Sequence, residues 1–458
     1  MFYNLLLTLN KKITKDKDVK ELAKGGSTAL IMNMVGVGIG YLFVLLVSAI
    51  YKDSSAAIYG QYVLVTLLLR IGSMFTRFGT DTSMLKYTAG FASYKLWGNI
   101  VDIYKKSLIL LVSFNAVVIL ICIIFSAQLA TLFKLSNEMV RLSAIFILPM
   151  ALTLFHSQSI RGLKKTGISS FLQNSAFTIF NTILLLLIFP FINRKASYFS
   201  YLLSYTLFAS IVIAAIVSTV LWIRSIPAKS EGENSYDSSK NLSIKQIFNG
   251  SYSLLLVESS SFVGIWVEQV MLGILATHQD VGIYNVCVKY ATLTTLSYRS
   301  VVAISTPKFA EYFFQNDYKN LGKIVRQSTK MTFWFAFPIA AMYTIFSGFF
   351  LGIFGKSFTS GSTALTLLGL SALINVMTGA VGPLLQMTGH QKIVQKVLWL
   401  SVFLEIILNW ILIPFFGVTG AAIASLSCSV IKNFSMVYYT KKYFGFSSFY
   451  FPFLYNNK

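Results

Sequence analysis

The sequence predicts an all-α polytopic membrane protein of about twelve transmembrane helices, built as two parallel six-helix repeats around a central cavity. Three observations predict it: uncharged apolar runs of helix length, a one-sided distribution of Lys and Arg between the loops, and an internal repeat with an offset of 222 to 224 residues.

The apolar runs come first. Of 458 residues, 55% are hydrophobic and only 12% charged, against roughly a quarter charged in a soluble domain. No Asp, Glu, Lys or Arg occurs in 25–51, 107–133, 142–160, 166–193, 196–223, 331–355, 357–391 or 406–431. Each run reaches the roughly 18–20 residues that a helix needs to cross a ~30 Å hydrocarbon core. Runs of this length satisfy their backbone as closed helices rather than as barrel strands. Together with intervening, more polar segments they place twelve spans, at 28–50, 58–82, 107–131, 141–160, 167–190, 199–223, 250–276, 281–306, 331–354, 362–387, 393–414 and 418–440.

The charge distribution then orients the chain. A net charge of +22 suggests nucleic acid in a soluble protein, but the positions of these charges point to lipid instead. With the N-terminus inside, 27 Lys and Arg lie in the inner segments, counting Lys396 at the inner edge of its span, six lie in the outer segments, counting Arg141 at its outer edge, and five lie deeper within spans. By the positive-inside rule both ends are expected to be cytoplasmic, and nucleic acid is not expected as a partner. MFYNLLLTLNKK at the start lacks a basic n-region and a small-residue cleavage site, so a removed signal peptide is not expected. Residues 1–27 read as a basic, interfacial lead-in. Cys122, Cys287 and Cys428 stand singly within apolar spans, without metal or disulfide spacing, and read as small packing residues.

The repeat comes third. Gly60-x-Tyr62 followed by Arg77 matches Gly282-x-Tyr284 followed by Arg299. KLWGNIVDIYKK then matches KNLGKIVRQSTK, Thr166-Gly167 matches Thr388-Gly389, and Pro190-Phe191 matches Pro414-Phe415. Four ordered blocks at one offset indicate a duplication. Because six is even, both halves enter the membrane in the same direction, and substrate sites of such folds lie between them. The division expected is a half at 28–223, a polar, Ser-rich cytoplasmic linker at 224–249, a second half at 250–440 and a cytoplasmic tail at 441–458.

Charges inside the spans supply the candidate site. On one helical face the second span carries Thr66, Arg70, Ser73 and Arg77, then Asp81, while the eighth carries Asn285, Lys289, Thr292, Thr295 and Arg299. A guanidinium in hydrocarbon costs several kcal/mol and is kept where it has a task. Arg70 lies about 18 Å from the outer end of its span at 1.5 Å per residue, near the midplane. Arg77 and Arg299 have two readings: they line a cavity, or they snorkel to the inner headgroups, Arg77 pairing with Asp81. Lys289 lies in the outer third. The intramembrane acids Glu258, Glu268 and Glu405 read either as ion-coupling groups or as charge partners of these bases. Other polar residues in spans, such as Asn33 and Asn174, read as helix–helix hydrogen bonds or as contacts to a sugar. His156 stands alone and implies no metal. No nucleotide-binding loop, nucleophile constellation, paired catalytic carboxylates or sizeable outer loop is present, so no catalytic residues are assigned, and an enzyme such as a membrane polysaccharide polymerase is disfavoured.

A twelve-helix duplication would also suit the major facilitator superfamily, but the loop after span 2, KYTAGFASYKLWGNIVDIYKK, carries none of that family's Gly-x-x-x-Asp-Arg pattern. AIYGQYVLV at 57–65, RFGTDTSMLKYTA at 77–89, RGLKKTGISSFLQN at 161–174, VGIYNVCVKY at 281–290, TPKFAEYF at 306–313 and LLQMTGHQK at 384–392 instead carry a likeness over residues 20–440. The pattern resembles the polysaccharide-transporter branch of the multidrug/oligosaccharidyl-lipid/polysaccharide (MOP) exporter superfamily, the Wzx-type O-antigen and capsule flippases. That resemblance implies a multi-pass protein of the bacterial inner membrane. Its load would be an undecaprenyl-diphosphate-linked oligosaccharide for O-antigen, lipopolysaccharide or capsule, moved by alternating access. It implies no cofactor beyond proton or sodium coupling, and polysaccharide polymerase and chain-length regulator as partners alongside membrane lipids. Arginine suits a diphosphate, which makes Arg70, Arg77, Lys289 and Arg299 the candidate anion contacts. A drug/cation antiporter of the same superfamily is the alternative, and would favour acidic cavity residues. Lipid II flippases have fourteen helices, against the twelve spans here.

Overall fold

The computed structural model describes residues 17–191, 197–227 and 236–452, and among them it is helical with no strand. The helices are α1 Lys17–Tyr51, α2 Ser55–Arg77, α3 Thr80–Ser93, α4 Trp97–Ile124, α5 Ser126–Phe133, α6 Asn137–Gly162, α7 Thr166–Ser170 and α8 Ala176–Ile188. They continue as α9 Leu202–Ile223, α10 Ile244–Leu275, α11 His278–Phe314, α12 Tyr318–Ile345, α13 Ser347–Gly352, α14 Ser362–Thr378, α15 Val381–Met387 and α16 Gln391–Phe444. Each of the twelve expected spans falls on one or two of these helices.

By length and composition alone, seven described stretches are long and apolar enough to cross a membrane. Two of them each hold two expected spans. Ile31–Arg77 turns at the short 3₁₀ segment Lys52–Ser54, and Gln391–Phe444 turns at Gly417, whose backbone leaves the helical region (φ 53°, ψ −127°). A Cβ on Gly420 would stand 2.3 Å from the Leu412 carbonyl oxygen, which a straight helix cannot bring together, so α16 folds back on itself as two arms. Helices α10, α11 and α12 fall outside the seven. Their 32, 37 and 28 residues are long enough to span, and the charges of α11 and α12 lower the hydropathy of those two helices.

Contacts divide the chain into two compact units: Met1–Leu46 with Val65–Phe262, and Val47–Leu64 with Val263–Lys458. In the first unit α6 packs against α9, α3 and α4. Its buried His156 sits between the Tyr104 hydroxyl (3.0 Å) and the Ser218 hydroxyl (3.1 Å), with both ring nitrogens occupied. It is a structural histidine. Asn174 donates to Asn33 at 3.0 Å, a helix–helix hydrogen bond of the expected kind. It lies within the π-helical turn Phe171–Ser175, whose Ser175 hydroxyl also donates to the Met32 carbonyl. The far end of the polar linker is held down. The Asn99 amide exchanges two hydrogen bonds with the Asp237 backbone (2.9 and 2.8 Å), and Lys106 donates to Asn241 and Leu242.

One expected element is broken. The second span is expected to run to residue 82, but α2 stops at Arg77, because Phe78 and Gly79 both take positive φ (47° and 74°) before α3 begins. Gly79 is required there twice over. Its φ is left-handed, and a Cβ would meet the Ser251 carbonyl oxygen of α10 at 2.3 Å. Phe78 fills the corner by stacking on Phe114 and Phe248 at 4.2 and 5.2 Å.

In the second unit α12 packs on α11 and α14, and α14 on α16. The chain after α16 returns along this bundle: the Tyr450 amide donates to the Met377 carbonyl, and Phe446 closes over Phe309, Leu321 and Leu384. Helices α2 and α11 cross in backbone contact. A Cβ on Gly60 would stand 1.7 Å from the His278 carbonyl oxygen, and one on Gly282 would stand 2.1 Å from that of Ala56. These four residues form two repeat-related pairs: 60 and 282, and 56 and 278, each differ by 222. The glycines that mark the repeat in the sequence therefore meet each other, and the contact has the reciprocity of a twofold. Beside it the Tyr59 hydroxyl donates to Asn285 at 2.7 Å.

Alanine at Gly60 or Gly282 forces two backbones apart, and overpacking of this kind costs about 1–3 kcal/mol. Thermal unfolding of either variant in detergent is expected at a lower temperature than wild type. Gly38→Ala, with nothing within 4 Å of its Cβ, should be neutral or slightly stabilising. Equal melting temperatures for all three variants would refute the close crossing.

Candidate functional site

The second unit holds a polar cavity of about 300 Å³ built from helical stripes. Helix α16 supplies two of them, Leu398, Ser401, Val402 and Glu405 from its first arm, and Ser425, Cys428, Ser429 and Lys432 from its second. Each runs at i, i+3, i+4, i+7, the spacing that puts four residues on one helical face. Helix α14 contributes Asn375, α11 contributes Tyr284, Thr292 and Thr295, and α10 contributes Glu268.

The charged groups converge. Glu268 and Glu405 stand within interacting distance of each other across the cavity, and Lys432 stands near Glu405 without closing an ion pair. The wholly buried Tyr284 hydroxyl lies near Glu268 and Ser425 without a hydrogen bond of good geometry to either. Two acids, one base and several hydroxyls therefore face one volume of about 300 Å³. Such a cavity can bind and release a small cation, and it makes any change of charge inside it costly.

The cationic candidates are arranged differently. Thr292 and Thr295 of the expected α11 stripe line the cavity, whereas Lys289 and Arg299 do not. Asn285 is taken up by Tyr59, and Arg299 is exposed. In the first unit Arg70 is half-buried, and the Ser73 hydroxyl turns back onto the Arg70 carbonyl at 3.0 Å. Arg77 is pinned at both ends, donating from Nε to the Ser73 carbonyl at 3.2 Å and pairing with the wholly buried Asp81. Asp81 accordingly reads as an anchor, and the break at Phe78–Gly79 leaves this i, i+4 pair intact. The side chain of Glu258 lies outside the described residues. Among the described residues no group of three or more His, Cys, Asp or Glu is placed to hold a metal ion.

Lys432, one of the five bases deep within spans, is not among the residues expected at the site. The spacing of Ser425, Cys428, Ser429 and Lys432 was the available signal. Cys428, read as packing, is buried and lines the cavity.

Comparison with known proteins identifies the chain. The family model described as polysaccharide biosynthesis protein matches residues 22–313. The chain belongs to this family. A second model, MatE, matches residues 253–411 of this polysaccharide biosynthesis family member. A relative in Haloferax volcanii, a probable low-salt glycan biosynthesis flippase (Agl15), is 24% identical over 233 residues, 51% of this chain. The match covers 48%, about half, of that relative's length. Among solved structures, an inward-facing multidrug resistance MATE family transporter of the MOP superfamily aligns with TM-score 0.65 at 12% identity, covering 91% of this chain and 98% of that one. A MOP superfamily transporter from Pyrococcus furiosus aligns with TM-score 0.56 at 12% identity, covering 92% and 96%. The fold is shared with these transporters of known structure.

The Arg77–Asp81 pair makes a prediction of its own. Removing one partner of a buried pair costs about 3–5 kcal/mol, whereas replacing both by apolar residues costs far less. Arg77→Met should therefore lower the melting temperature and yield of the purified protein sharply, and Arg77→Met with Asp81→Leu should recover most of the loss. A double variant as poor as the single one would contradict a stabilising pair.

Proposed function

We propose that this protein is a flippase for undecaprenyl-diphosphate-linked oligosaccharide, an O-antigen, capsule or exopolysaccharide repeat unit. It carries its load from the cytoplasmic to the outer leaflet of a bacterial plasma membrane by alternating access of its two halves. The observation that carries this reading is a polysaccharide-biosynthesis family match across 22–313 on a transporter fold. The relative named as a glycan biosynthesis flippase supports it. In this reading the protein transports and does not transform, both termini are cytoplasmic, and polymerase and chain-length regulator act on the delivered unit. Arg70, Lys289 and Arg299 meet the diphosphate during transfer, Arg77 stays with Asp81, and the Glu268–Glu405 cavity binds the driving ion. The second reading, a drug/cation antiporter, draws on the MatE match at 253–411 and on the two carboxyl groups in the cavity.

Deletion in a host with no redundant flippase should leave lipid-linked repeat units on the cytoplasmic face. Their normal arrival outside would overturn the flippase reading, and a change in drug export alone would favour the antiporter. A charge-assisted hydrogen bond contributes about 1.5–3 kcal/mol. Arg70→Ala or Arg299→Ala should therefore cut export by at least about tenfold with unchanged membrane insertion, and Lys should restore part of it. Full export by both Ala variants would remove these residues from the transfer path.

A further inference from the structure

The groups that can carry charge in the polar cavity can be counted element by element. Helix α10 presents Glu268, α11 presents Tyr284, α16 presents Glu405, Cys428 and Lys432, and α14 presents only neutral residues such as Asn375. With both carboxyl groups and the ammonium ionised, the cavity holds one negative charge in excess. An excess charge among half-buried groups is unfavourable, so the cavity is occupied most favourably by one further positive charge.

Two kinds of ion could supply it, and they differ in what they leave behind. A proton bonds to one carboxyl oxygen and abolishes a charge, leaving one carboxylate opposite one ammonium. A sodium ion leaves all three formal charges in place and adds a fourth, a cation beside the Lys432 ammonium. The proton needs only an oxygen with a neighbour to share it. Glu268 and Glu405 face each other, and the buried Tyr284 hydroxyl opens into the cavity beside Glu268 with no hydrogen bond of good geometry. Lys432 is close enough to act on Glu405, yet is not locked to it by an ion pair.

We infer that Lys432 is the built-in cation of this cavity and sets its ion choice: the Glu268–Glu405 pair takes up a proton, and the Lys432 ammonium turns sodium away. The inference rests on the transporter reading for the coupling role of the cavity, while the charge count itself does not. Removing the ammonium leaves two negative charges to be balanced, and room for a proton together with a sodium ion.

The test uses the full-length protein in lipid nanodiscs, comparing thermal unfolding in sodium chloride with unfolding in choline chloride at equal ionic strength. Wild type and Lys432→Arg should unfold at the same temperature in both salts. Lys432→Gln should gain a sodium-specific rise, with half-saturation at least tenfold below any sodium effect in wild type, and adding Glu405→Gln should remove it. Sodium-specific stabilisation of wild type that Glu405→Gln abolishes would overturn the inference, as would a well-folded Lys432→Gln indifferent to sodium. If Lys432→Gln does not fold, the wild-type and Lys432→Arg arms decide alone, since sodium stabilisation of either refutes it and indifference of both supports it. Failure of the flippase reading shows elsewhere. A protein that behaves as expected in these salts but moves no oligosaccharide keeps its ion choice and loses its assigned load.

Discussion

The crossing of α2 and α11 at Gly60 and Gly282 is the constraint on which the second unit depends. Two helices can approach to backbone contact only where neither carries a side chain, and here both sides of the contact meet that condition at once. The consequence is visible in the packing: residues 47–64, which precede the break between the units in sequence, belong with the C-terminal bundle. Tyr59 and Asn285 then seal the flank of the crossing. Since the same face of α11 goes on to Thr292 and Thr295, the placement of that helix also fixes one wall of the polar cavity.

The protein handles its buried charges in two distinct ways. Arg77 and Asp81 neutralise each other within one turn, with the guanidinium also tied to the Ser73 carbonyl, so the pair is spent on structure. Glu268, Glu405 and Lys432 are drawn from three helical segments and sum to an imbalance, which gives them something to exchange. The first arrangement suits a corner between α2 and α3, where Phe78 and Gly79 interrupt the helix. The second suits a site that must exist in more than one charge state.

Much of the fold was legible because hydrocarbon imposes a length and a composition that the sequence cannot disguise. Every expected span falls on a helix, and the glycines that announced the repeat are the ones found in contact. The turn at Phe78–Gly79 was not legible: RFGTD reads as helix until the close passage of α10 is known. Of the site, Glu268 and Glu405 could be chosen by chemistry alone, since a carboxyl group in a span is expensive. Their convergence could not, because it depends on how α10 and the first arm of α16 are brought together. Lys432 has no basic counterpart in the repeat, where Ser210 stands 222 residues earlier, so the matched spans give no reason to single it out. The face of α11 that lines the cavity carries Tyr284, Val288, Ala291 and Thr295 with Thr292 beside them, and Lys289 and Arg299 lie off that face.

The clamp on the linker changes what the linker is for. With Asn99 holding Asp237, and Lys106 holding Asn241 and Leu242, the chain entering α10 is fastened to α4, so the polar segment acts as a rivet rather than a tether. The covalent crossings between the two units then lie at 46/47, 64/65 and 262/263. Each of these falls inside a continuous helix: α1, α2 and α10. At each of these three points the chain passes between its units through helix rather than through loop, so any displacement of one unit against the other bends or twists a helix.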